Sequence, residues 1–226
     1  MTQRIFSHFH FLQFSQNYWN SSLSEKQEIQ KKLLSVLSEN FNKFELYQAF
    51  PLRSDVDIIL WSSMEMSGEF SIAQYFKKMA TTLNPYRKFI DSKESWWGVT
   101  RPSDYARGKS AQEIDPFDNQ RSTYLVVYPF SKTASWYKMS RDARQGMMNE
   151  HIRIGHQFPQ IKQLLLYSTG LQDQEFIVTY ETEDLSEFSK LVMDLRSSEA
   201  RLFTERDTPI FTAIYHSPEE TLNLFT

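Results

Sequence analysis

The feature that most constrains this chain is the order in which its hydrophobic period changes. Residues 122–129 form a β-rich run through Tyr124, Leu125, Val126, Val127 and Tyr128. A helical pattern follows over 140–158, with Met147, His151, Ile154 and Phe158 at i, i+4, i+7 and i+11 on one stripe. The period then drops to two along 161–168, where Ile161, Gln163, Leu165 and Tyr167 share a face, and again along Phe176, Val178 and Tyr180 after a turn at 170–173. Asp184 and Glu187 stand at capping-box spacing before a helix with Leu185, Phe188, Val192 and Leu195 inward, and 209–215 is a last strand. The order is βαββαβ.

The N-terminal half has the same order. Residues 5–12 read as a strand; Ser24 and Gln27 open a helix carrying Ile29, Leu33 and Leu37; 44–49 and 55–62 read as strands. Phe70, Ala73, Phe76 and Met79 mark a second helix, and 95–101 closes the unit as a strand. The halves share element order without detectable identity. The expected fold class is therefore α+β: two ferredoxin-like units, 1–105 and 122–226, joined by a polar linker at 106–121. By analogy, two such units in one chain close into a dimeric α+β barrel.

Composition narrows the chemistry. The 226 residues contain no cysteine, which excludes disulfides, zinc–thiolate sites, iron–sulfur clusters and thiolate-held haem. A net charge of −3 gives no reason to expect nucleic acid as a partner. No apolar run reaches the length of a membrane span, and the start at Met1–Thr2–Gln3–Arg4–Ile5 lacks an apolar signal region, so the expectation is a cytoplasmic protein with no membrane partner. Only 6 glycines are present, and none builds a phosphate loop.

His151 is the most informative side chain. A histidine on an apolar stripe must be satisfied, and two readings stand. It is either a core histidine bonded to a backbone carbonyl, or a neutral imidazole presented as an axial ligand to a metalloporphyrin. Glu199 continues the stripe of Val192 and Leu195, and in a ferredoxin-like unit its helix lies beside that of His151. It can therefore accept the second imidazole N–H, or else pair with Arg196 or Arg201 near the solvent edge. His8 and His10 share one strand face as a possible metal pair that lacks an evident third ligand.

The C-terminal half resembles the chlorite dismutase family, and within it the coproheme decarboxylase branch. The resemblance rests on Tyr128-Pro-Phe-Ser-Lys132, Trp136-Tyr137, Met148-Asn-Glu-His151, Gly155, Gly170-Leu-Gln-Asp-Gln-Glu175-Phe176 and Leu195-Arg-Ser-Ser-Glu199, in family order. It implies a duplicated ferredoxin-like barrel assembled as a homo-oligomer, typically a pentamer. It also implies a porphyrin substrate, iron-coproporphyrin III, converted to haem b in haem biosynthesis, with hydrogen peroxide as oxidant. His151 matches the histidine that binds porphyrin iron, and Glu199 the acid of its hydrogen-bond network. Tyr128 matches the tyrosine whose radical attacks a propionate, and Lys132 the lysine that assists there. Gln163 stands where the chlorite-degrading branch has arginine and many decarboxylases have glutamine. Tyr105 is similar to a further propionate-contacting tyrosine. Arg201 replaces a small polar residue found near a propionate in some members, and Phe130 replaces a methionine. Two other functions stay open: a chlorite-decomposing haem enzyme, and a barrel that binds haem without catalysis or not at all.

Overall fold

The structure is a computed structural model that describes residues 4–66, 71–106, 108 and 110–226. Phe70, expected in the second helix, lies outside the described residues. The chain divides into two compact units, Met1–Val99 with Thr212–Thr226, and Thr100–Phe211. No helix among the described residues is long and apolar enough to cross a membrane.

The first unit contains β1 (Ile5–Phe14), a short α1 (Gln16–Trp19), α2 (Leu23–Asn40), β2 (Phe44–Gln48), β3 (Ile58–Glu65), α3 (Ile72–Leu83) and β4 (Ile90–Val99). β1 pairs antiparallel with both β3 and β4, and β3 with β2. The spatial order β4-β1-β3-β2 is that of a ferredoxin-like sheet. Both long helices start on reciprocal caps: Ser22 with Glu25 opens α2, two residues before the expected Ser24, and Ser71 with Gln74 opens α3. Leu33, Leu37, Tyr75 and Met79 from these helices pack on Phe6, Leu12, Leu46 and Leu60 in one core. At the chain's end, α7 (Pro218–Asn223) joins that core through Leu222. Gln30 Nε2 donates to Leu222 O at 2.6 Å, and Tyr18 Oη to Phe225 O at 2.8 Å, so the buried polar groups of this contact are satisfied.

The second unit contains β5 (Tyr124–Lys132), a short α4 (Ala134–Lys138), α5 (Arg141–Gly155), β6 (Lys162–Tyr167), β7 (Phe176–Thr182), α6 (Leu185–Arg196) and a short β8 (Thr204–Arg206). β7 pairs antiparallel with β5 and β6, so β5-β7-β6 repeats the arrangement β1-β3-β2. The element expected as the last strand, β9 (Phe211–Tyr215), pairs with β2 through Tyr47 and Gln48. The α+β class and the duplicated βαββαβ order are as the sequence predicts.

The linker is part of this unit's architecture. Arg121 donates to Asp115 O and Asp118 O at 2.7 and 2.6 Å, and forms a fully buried ion pair with Glu181 at 3.1 Å. Gln112 Nε2 donates to the carbonyls of Gly155, Phe158 and Ile161, at 3.3, 2.9 and 3.1 Å. Those carbonyls end α5 and lead into β6; Gly155 O and Phe158 O also accept the backbone N–H groups of Phe158 and Ile161, at 3.1 and 3.0 Å.

Candidate functional site

Cross-strand register decides which side chains share a face. Gln163 lies opposite Tyr180, Leu165 opposite Val178, and Tyr167 opposite Phe176. Tyr180, Val178 and Phe176 in turn lie opposite Val126, Tyr128 and Phe130. All nine therefore line one face of the β5-β7-β6 sheet. Ile154 and Phe158 of the α5 end and Leu191 of α6 pack on this face against Val126, Val178 and Tyr180. The cover stops short of β6: Leu165 is 37 % exposed, and Gln163 is exposed as well. This leaves a cleft beside α5 at the β6 edge of the face, where Leu165 and Gln163 are exposed.

His151 stands on α5, one turn before Ile154. Neither ring nitrogen has a hydrogen-bond partner among the described residues, so the core-histidine reading with a backbone acceptor is not what the structure shows. Burial lowers its pKa to about 4; the charge of Lys132 lowers it further and that of Glu150 opposes. The imidazole is thus neutral near pH 7 and offers a lone pair.

Lys132 closes β5. Its Nζ donates to Ala200 O and Thr204 Oγ1 at 3.3 Å each, and lies 4.7 Å from the centre of the buried Trp136 ring. Burial, reinforced by Arg201, brings its pKa down to about 8, against the pull of Glu175. Glu175 accepts the Lys132 backbone N–H at 2.7 Å and the Tyr137 hydroxyl at 2.6 Å.

Tyr128 is partly buried beside Tyr180, with ring centres 6.1 Å apart and stacked. Burial holds its hydroxyl well above the usual phenol pKa; the hydrogen bond to Tyr180 and the charge of Asp207 add to this, and Arg196 opposes. Tyr180 is also raised by burial, and the same hydrogen bond opposes that rise. Asp207 pairs with Arg201 at 2.5 Å and with Arg196 at 3.7 Å.

The structure gathers His151, Lys132, Tyr128 and Gln163 in this unit. Tyr105 sits in the linker at the rim, its ring 6.3 Å from Trp136 and its carbonyl held by Gln145 at 3.0 Å. Glu199 stands apart from the expected stripe. Helix α6 ends at Arg196, where the Ser197 and Ser198 hydroxyls each donate to a carbonyl of the last turn, at 2.7 Å. Glu199 opens a 3-10 turn, is exposed, and makes no hydrogen bond to His151; its backbone N–H donates to Glu150 Oε2 at 3.1 Å. Glu150 is the carboxylate whose charge reaches the imidazole. Sequence periodicity missed Tyr180, Glu150 and Asp207; only the alternation of Tyr180 with Val178 pointed to the right face.

In the first unit His8 and His10 do share a face, with ring centres 5.2 Å apart. Hydroxyls occupy them: His8 contacts Tyr75 Oη at 3.0 Å and Ser95 Oγ at 2.9 Å, and His10 contacts Ser92 Oγ at 2.6 Å. No group of three metal-ligating side chains occurs among the described residues.

A family model described as chlorite dismutase matches residues 23–216. A coproheme decarboxylase of Staphylococcus carnosus (strain TM300) is 29 % identical over 215 residues, covering 86 % of this chain and 81 % of that protein. A coproheme decarboxylase of Mycolicibacterium smegmatis is 26 % identical over 173 residues, covering 74 % and 70 %. The crystal structure of a mutant chlorite dismutase from Candidatus Nitrospira defluvii superposes with a TM-score of 0.86 at 20 % identity, over 98 % of this chain and 94 % of that one, which shows a common fold. With 23–216 matched, the chain belongs to the chlorite dismutase family.

Proposed function

We propose that this protein converts iron-coproporphyrin III to haem b by peroxide-dependent oxidative decarboxylation of two propionates. The observation that carries the reading is His151: a neutral, partly buried imidazole with no hydrogen-bond partner among the described residues, on the helix that walls the cleft. These residues fit an iron macrocycle, since a metal is the acceptor such a lone pair lacks. Similarity to two coproheme decarboxylases supports the choice of substrate.

When bound, the iron macrocycle supplies a redox metal that takes oxidising equivalents from peroxide. The rest falls to the chain. His151 would hold the metal through its imidazole lone pair, with Glu150 as the acid whose charge reaches that ring and Glu199 behind it through its backbone bond to Glu150. Gln163 faces the cleft with a neutral amide. Tyr128, kept protonated by burial, gives up its phenolic proton and an electron, and its radical takes a hydrogen atom from the propionate side chain. Loss of a second electron and of carbon dioxide leaves a vinyl group, so each propionate consumes one peroxide and yields two waters. Lys132 holds the propionate carboxylate by charge, and Tyr105 contributes at the rim. We also propose a homopentamer, on the family resemblance, which native mass measurement checks.

The test is product mass after stoichiometric peroxide, with iron-coproporphyrin III bound. Wild-type protein is expected to lose two carboxyl groups as carbon dioxide. Tyr128→Phe is expected to bind equally and to stop decarboxylating, since the ring is kept and the phenolic proton is gone. Two losses at the wild-type rate in that variant sink the assignment of Tyr128. Rapid oxygen release from chlorite favours the alternative chemistry that Gln163, lacking a fixed positive charge, argues against. Binding without either reaction leaves a non-catalytic haem protein.

A further inference from the structure

Arg144 is the one strong cation of the cleft wall that the proposed reaction leaves without a task. It lies on α5 seven residues before His151, a spacing that returns to the same face after about two turns and about 10 Å. Its guanidinium makes no hydrogen bond and no ion pair among the described residues, and its Nε is buried without a partner. The other cations of this unit's interior are engaged: Arg121 with Glu181, Arg201 with Asp207, and the Lys132 ammonium with Ala200 O and Thr204 Oγ1. The acid of the same corner, Glu175, is committed to the Lys132 backbone and the Tyr137 hydroxyl. Arg144 is close enough to Tyr137 for its charge to act on that hydroxyl, and Tyr105 acts on it as well. The corner therefore holds a fixed donor fork and two phenols, with Glu175 already engaged.

An unpaired guanidinium with a buried N–H is costly in the free protein. Its five donors match a carboxylate in bidentate geometry. We propose that Arg144 is the anchor for a carboxylate of the bound porphyrin, separate from Lys132 and placed along the macrocycle from the His151 side. The proposal rests on the reading of the cleft as a porphyrin site.

The experiment titrates three probes by fluorescence quenching and absorbance: iron-coproporphyrin III, iron-free coproporphyrin III, and the tetramethyl ester of the iron form, whose carboxylates are masked. Arg144→Gln is expected to weaken both free-acid probes by about ten- to a hundredfold. It should leave ester binding and the axial absorbance spectrum unchanged. Arg144→Lys should recover part of the loss through its charge. Arg144→Met, measured without ligand, should hold or raise the thermal midpoint, because it removes an unpaired donor. Equal weakening of the ester, unchanged free-acid affinity, or a midpoint that falls by more than about 4 °C in Arg144→Met each overturn the proposal while leaving the porphyrin site standing. Failure of wild-type protein to bind any of the three probes overturns the site reading, and Arg144's role with it.

Discussion

The two units share an element order and use the space between helices and sheet in opposite ways. In the first, α2 and α3 cover the sheet, and its two neighbouring histidines meet hydroxyls of the same unit: His8 meets Tyr75 and Ser95, and His10 meets Ser92 through one nitrogen while its Nδ1 stays buried without a partner. In the second, α5 and α6 cover β5 and β7 but leave Gln163 and Leu165 of β6 open. Two of its side chains, His151 and Arg144, make no hydrogen bond among the described residues. A buried polar group that finds its partner inside contributes to stability, and one that does not is available to a ligand. Duplication of one unit thus allows one copy to be filled and the other kept open.

The comparison can be broken most decisively at His151. His151→Ala is expected to weaken retention of iron-coproporphyrin by about a hundredfold or more, beyond what loss of a merely supporting residue does, and to abolish the histidine-ligated absorbance spectrum. An unchanged spectrum would show that the open unit's histidine has no special role.

Packing gives the next largest contrast. Leu33, 1 % exposed in the filled unit, should cost about 2–5 kcal/mol on truncation to alanine. Leu165, 37 % exposed on the cleft floor, should cost under about 1 kcal/mol. Urea titrations of the two variants measure both; equal losses would mean the cleft is as well packed as the core.

Acid acts on a histidine in each unit, His10 in the first and His151 in the second, each lowered to about 4 chiefly by burial. Burial lowers the pKa of His10 to about 4 from an ordinary 6.5, so the unfolded chain takes up this proton first as pH falls. The stabilisation is complete above pH 6.5 and is lost between about 6.5 and 4, on the order of 3 kcal/mol. His10→Phe should flatten the denaturation profile across that window, and a profile as steep as the wild type's would place the acid sensitivity elsewhere.

Where periodicity carried the information, the chain was readable. The stripe Met147–His151–Ile154 and the face shared by Gln163, Leu165 and Tyr167 follow from helix and strand geometry alone, and both hold. Glu199 escaped because two serine hydroxyls take carbonyls at the end of α6 and break the helical phase before the acid is reached. Gln112 and Arg121 escaped for another reason. A polar residue in a polar stretch gives no periodic signal, and its long-range acceptor is set by the completed fold.

Gln112 ties several of these pieces together. Its side-chain amide grips the last carbonyls of α5 and the approach to β6, while its backbone carbonyl accepts the Gln163 backbone N–H at 2.7 Å. His151 and Gln163 sit on the two arms that meet at this clasp. The distance between the jaws of the cleft is therefore set outside it, by a side chain that never faces the ligand. A substitution at 112 is thus expected to change the spacing of His151 and Gln163 without removing either side chain.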